Sequence, residues 1–110
     1  MGLGQKNCIP CQGGILPLTQ DQALTFMEGI PEWAIIGDAK HIYRKFLFED
    51  FSSALRFVNK IGDLAEEQGH HPDISFGWGY VDVAIYTHKI SGLHENDFIM
   101  ATKIGILYPD

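Results

Sequence analysis

The chain has 110 residues, 45% hydrophobic and 20% charged, with a formal net charge of −6. That length and balance imply one globular domain with a modest core and exclude a disordered chain. Eight scattered basic residues, adjacent only at Arg44-Lys45, argue against direct nucleic-acid binding, and no apolar run approaches the roughly 18 residues of a membrane span.

Residues 1–18 are rich in Gly, Pro and Cys and read as an N-terminal arm. The first ten residues lack the charged and apolar regions of a signal peptide, so a cytoplasmic location is expected. Cys8 and Cys11 form Cys-Ile-Pro-Cys. One such pair supplies half a zinc site, and no second pair or nearby His completes it. A redox pair belongs at a helix start after a strand, whereas Gly13, Gly14 and Pro17 follow here. Reduced thiols in a short segment are expected, with a zinc site shared between subunits as the alternative.

A domain is expected over residues 19–110. Thr19-x-x-Gln22 has the form of a capping box opening a short helix, with Leu24, Phe26 and Met27 as apolar contacts and Gly29 and Pro31 at its end. Trp33 to Ile36, the turn signal Gly37-Asp38, and the alternating His41 to Phe48 predict a β-hairpin. A central helix follows, capped by Asp50 and closed by Gly69, with Phe51, Ala54, Leu55, Val58, Ile61, Leu64 and Ala65 at spacings of three and four. Arg56, Lys60, Asp63 and Glu67 occupy its exposed side. Asp73 to Phe76 and Tyr80 to Tyr86 predict a second hairpin, with Val81, Val83 and Ile85 on one face and Asp82, Ala84 and Tyr86 on the other. From about Glu95, Phe98, Ala101 and Ile104 mark a last helix. The order α-β-β-α-β-β-α predicts an α+β fold, a four-stranded antiparallel sheet with helices packed on one face.

The chemistry concentrates in Glu-Glu-Gln-Gly-His-His-Pro, residues 66–72. Gly69 ends the helix, and Pro72 forces His71 to be extended, so both histidines are pinned between helix and strand. The helix C-terminus beside them favours the protonated imidazolium. Glu66 stands four residues before His70, within reach of an imidazole N–H. If the second hairpin forms, the end of its second strand returns beside the start of its first. Thr87-His88 then comes back to His70 and His71, with Asp97 near the same mouth. Three readings remain open on these residues: a three-histidine metal site, which adjacent and diverging side chains disfavour; satisfied histidines without a role; and metal-free general acid–base catalysis by groups titrating near neutrality. His41 and His94 stand outside the cluster and are expected to have no role.

The pattern Glu66, His70-His71-Pro72, Trp78, His88, Asp97 resembles the pterin-4a-carbinolamine dehydratases. The likeness extends to Trp33, Phe46-Leu47-Phe48 with Phe51, the central helix and Tyr86-Thr87-His88, covering about residues 17–105. The resemblance implies elimination of water from a 4a-hydroxytetrahydropterin to give quinonoid dihydropterin. It implies His70, His71 and His88 as catalytic and pterin-contacting residues, His70 and His88 handling protons and His71 positioning the ring. Glu66, Pro72, Asp73, Trp78, Thr87 and Asp97 then bind or orient, with no metal and no cofactor beyond the pterin substrate. A homodimer or homotetramer and a functional link to an aromatic amino-acid hydroxylase are also implied. Some animal members of the family also act as dimerisation cofactors of a transcription factor, and a non-catalytic pterin binder is a third possibility. The chain departs from the family in having His94 where Ser or Thr usually precedes the last helix, and in the glycines flanking Trp78, which are expected to loosen that hairpin.

Overall fold

Thr19 opens the first helix through a reciprocal cap. In the computed structural model, which describes residues 2–9 and 16–108, the Thr19 hydroxyl accepts from the Gln22 N–H at 3.2 Å and Gln22 Oε1 accepts from the Thr19 N–H at 2.9 Å. Helix α1 (Gln20–Met27) is followed by strands β1 (Ala34–Ile36) and β2 (His41–Leu47), helix α2 (Phe51–Gln68), strands β3 (Asp73–Gly77) and β4 (Tyr80–Ile85), and helix α3 (Glu95–Leu107). All neighbouring strands are antiparallel, in the order β1-β2-β4-β3. This is the α+β arrangement the patterning predicts. Among the described residues no helix is long and apolar enough to cross a membrane.

Alternation along the strands sorts the side chains by face. Ile42, Phe46, Val81, Val83 and Ile85 are buried and form one core with Ala54, Phe57 and Ile61 of α2 and Phe98, Ala101 and Ile104 of α3. The opposite face carries Tyr43, Lys45 and Asp82, where the Tyr43 hydroxyl donates to Asp82 Oδ1 at 2.5 Å. That bond, more than desolvation, holds the Tyr43 phenol above its ordinary pKa.

Two details of the helices differ from expectation. In α2 the apolar stripe toward the sheet runs through Ala54, Phe57, Ile61 and Ala65, and Phe57, absent from the expected set, is fully buried against Phe46 and Phe48. Phe51 and Leu55 remain 44% and 39% exposed. Two overlapping stripes of similar spacing compete along this helix, and the sheet covers the one that carries Phe57, leaving Phe51 and Leu55 toward its edge. Phe51 instead meets Phe76 at the sheet edge, with centroids 5.3 Å apart. In α1, Leu24 is exposed and Ala23 is buried in the core, and α1 meets α3 through Phe26, stacked on Phe98 at 4.9 Å.

The second hairpin is tight. Trp78-Gly79 is a two-residue turn, Gly77 pairing with Tyr80, and Gly79 supplies a positive φ of 83° at its second position, as a type II turn requires. A Cβ on Gly77 would lie 2.9 Å from the Tyr80 ring, so this glycine admits the ring rather than loosening the strand.

Asp50 caps α2, its Oδ1 accepting from the Ser53 N–H at 2.8 Å, and that bond lowers the carboxyl pKa. A depressed folded-state pKa contributes stability above the unfolded value and loses it as pH falls through the folded one. The difference in melting temperature between the wild type and Asp50→Ala should therefore be full at neutral pH and shrink as pH drops below ~4. The stripe assignment predicts that Phe57→Ala costs about 3–5 kcal/mol and Leu55→Ala less than about 1 kcal/mol, read from urea denaturation midpoints.

Candidate active site

Gly69 adopts the left-handed conformation (φ 66°) that ends α2, and the chain turns immediately into His70. His70 is 8% exposed, and its Nε2–H donates to Asp97 Oδ1 at 2.7 Å. Asp97 is the third residue of α3 and fully buried. Its second oxygen accepts from the Thr87 hydroxyl and the His94 N–H, each at 2.8 Å. A buried carboxylate is tolerated only when its lone pairs are met in this way. Because Asp97 accepts, the proton of a neutral His70 ring sits on Nε2 and the basic lone pair on Nδ1.

His71 is exposed, and its Nε2–H donates to Glu66 Oε2 at 2.5 Å. The expectation that Glu66 would serve the histidine four residues on is thus redirected by one position. Past Gly69 the chain is no longer helical, so helical spacing ceases to say which ring lies above Glu66. His88 sits in the 3-10 turn His88–Ile90 after β4. Its ring stacks on Tyr86 (4.2 Å between centroids, 25° between planes), and Tyr86 in turn meets His41 at 4.4 Å. His41 is therefore the outer member of a ring stack that ends on His88.

One cavity of about 420 Å³ collects these groups, a size ordinary for small-molecule sites. Gly69, His70 and His71 line it from the end of α2, and Thr87, His88 and Lys89 from the turn after β4. Ile9, from the N-terminal segment, lines it as well. The β3–β4 pairing, with Asp73 opposite Ala84, brings the two loops together. Among the described residues no group of three or more His, Cys, Asp or Glu is placed to hold a metal ion.

Other residues expected at the site lie elsewhere. Asp73 is exposed and faces a separate depression beside Tyr43, Ser75 and Asp82. Pro72 sets the backbone and does not line the cavity. Trp78 is 73% exposed at the hairpin tip, about 13 Å along β3 from the histidine end. His94 caps α3, its Nδ1 accepting from the Asn96 N–H at 3.4 Å while Asp97 bonds back to its N–H, so an imidazole stands in for the usual hydroxyl.

The N-terminal residues carry a part that the motif did not disclose. The Cys8 N–H donates to Gln68 Oε1 at 2.8 Å, and its Sγ lies 3.6 Å from the Asn96 carbonyl oxygen. Cys8 is a free thiol whose pKa is pushed up to about 11, by burial first and by the Asp97 charge second, with Lys103 opposing. Cys11 lies outside the described residues.

Comparison with known proteins agrees with this architecture. The profile of the family described as Pterin 4 alpha carbinolamine dehydratase matches residues 16–107. A relative from Halorhodospira halophila, provisionally named pterin-4-alpha-carbinolamine dehydratase, is 51% identical over 107 residues, covering 97% of this chain and 98% of its own. One of the same provisional name from Methylococcus capsulatus is 53% identical over 105 residues, covering 96% and 92%. The crystal structure of a transcriptional coactivator/pterin dehydratase from Brucella melitensis superposes with a TM-score of 0.77 at 31% identity, over 82% of this chain and 96% of that one. Likeness that runs through both loops of the histidine cavity, the strands that join them and the helix that carries Asp97 makes this chain a member of the pterin-4-alpha-carbinolamine dehydratase family.

Proposed function

We propose that the chain is a hydro-lyase that dehydrates a 4a-hydroxytetrahydropterin by histidine acid–base chemistry, without a metal or redox cofactor, in the recycling of reduced pterin for an aromatic amino-acid hydroxylase. The observation that carries this reading is the convergence of His70, His71 and His88 on one cavity, two of them held by separate carboxylates. The reaction breaks the C4a–O bond with a proton supplied to the leaving hydroxyl, removes a proton from a ring nitrogen, and forms a C=N bond as water departs. Two proton carriers are needed, and a ring with its Nε2–H committed to a carboxylate keeps Nδ1 as the exchanging atom.

In this reading His70, backed by buried Asp97, and His88, held by Tyr86, carry the protons. His71, exposed at the rim and paired with Glu66, positions the pterin. A carboxylate behind an imidazole sets its tautomer and stabilises the imidazolium formed when it takes a proton. The reading includes a homodimer or homotetramer.

Dehydration of a 4a-hydroxytetrahydropterin can be followed optically with purified protein. His70→Ala and His88→Ala are each expected to lower kcat by about 10²–10⁴-fold, while His71→Ala acts mainly on KM. Full activity in the combined His70→Ala/His88→Ala variant would overturn the histidine mechanism. Activity should survive a chelator; its loss would overturn the metal-free reading. An inactive wild type would favour a protein-binding role, of the kind named for the Brucella relative. Asp97→Asn is expected to lower kcat by about tenfold or more, by unsettling the His70 tautomer.

A further inference from the structure

The family match begins at residue 16, yet an earlier segment reaches the histidine cavity. Ile9 contributes the one aliphatic side chain among its described lining residues; the remainder are histidines, a threonine, a lysine and a glycine. The Ile9 backbone is also held at both of its polar groups. Its N–H donates to Asn96 Oδ1 at 3.0 Å, and its carbonyl accepts from Asn96 Nδ2 at 2.7 Å. Both faces of one side-chain amide thus grip one residue's backbone, as a neighbouring strand would. Asn96 is 2% exposed and immediately precedes Asp97. The grip on Ile9 and the carboxylate behind His70 therefore sit on the same turn of α3.

Further ties fix the approach. Gln68, two residues before His70, holds the Cys8 N–H. Lys6 pairs with Glu95 at 2.8 Å, and Lys103 Nζ donates to the Gly4 carbonyl at 3.1 Å. The backbone is anchored to both helices that build the site, while the Ile9 side chain stays 63% exposed. An apolar side chain on an immobilised backbone at a cavity wall gains burial only when something fills the cavity.

We propose that Ile9 is a substrate-contacting, specificity-determining residue, forming the apolar wall against which the saturated part of a reduced pterin ring lies, with Asn96 as the positioning residue that holds it there. The inference rests on the dehydratase reading. A reduced pterin has a polar edge of ring nitrogens and oxygen, suited to the histidine side, and a saturated carbon portion with no hydrogen-bonding capacity. That portion is stabilised by leaving water for an apolar surface such as Ile9.

The test compares steady-state kinetics of the wild type, Ile9→Ala, Ile9→Val, Asn96→Ala and the Ile9→Ala/Asn96→Ala double variant on a 4a-hydroxytetrahydropterin, with melting curves for each. Ile9→Ala should raise KM about tenfold with kcat changed less than about twofold, the signature of lost uniform binding. Ile9→Val should restore most of the loss. Asn96→Ala should raise KM similarly and add nothing further in the Ile9→Ala background, since it acts through Ile9. An active wild type with unchanged KM in Ile9→Ala would overturn the wall alone. Additive effects in the double variant would overturn the role of Asn96. A wild type without turnover would overturn the dehydratase reading, and the wall with it. If Asn96→Ala fails to melt cooperatively, the kinetics of Ile9→Ala and Ile9→Val decide the proposal.

Discussion

A single buried carboxylate organises this protein. Asp97 accepts from the ring of His70, the hydroxyl of Thr87 and the backbone of His94, which come from the end of α2, the exit of β4 and the cap of α3. Burying a charge is costly unless every lone pair finds a donor. Satisfying Asp97 therefore requires three separate chain segments to arrive together. The interaction that closes the fold is also the one that fixes the orientation of His70, so stability and site geometry here have a common origin.

Much of this was legible because local rules and the global fold agree. The capping box at Thr19 and Gln22, the cap at Asp50 and the left-handed Gly69 each announce a helix end through their own hydrogen-bonding needs. Strict alternation at Val81, Val83 and Ile85 is legible because one face of the sheet is covered and the other is not. The site was legible for a related reason. A two-residue turn at Trp78-Gly79 leaves little freedom of register, and once it is placed, Thr87 and His88 must lie opposite the start of β3, beside His70 and His71.

What escaped the sequence was decided by packing between distant segments. Spacing along α2 admits two stripes, and only the facing sheet chooses Phe57 over Leu55. Spacing pairs Glu66 with His70, but it ceases to apply once the chain leaves the helix at Gly69, and the carboxylate meets His71 instead. The contact of Ile9 with Asn96 spans 87 residues, and nothing local in either segment signals it. Trp78 shows the converse, since membership in a motif carried no information about distance from the cavity.

The two tryptophans stand in opposite environments, Trp33 at 4% exposure against the Phe46 ring and Trp78 at 73% on the hairpin tip. The chain thus carries two indole fluorophores with separate duties. Emission from Trp78 is open to aqueous quenchers in the native state and changes little in polarity on unfolding. The red shift that accompanies denaturation belongs to Trp33, whose indole leaves the apolar layer between sheet and helices.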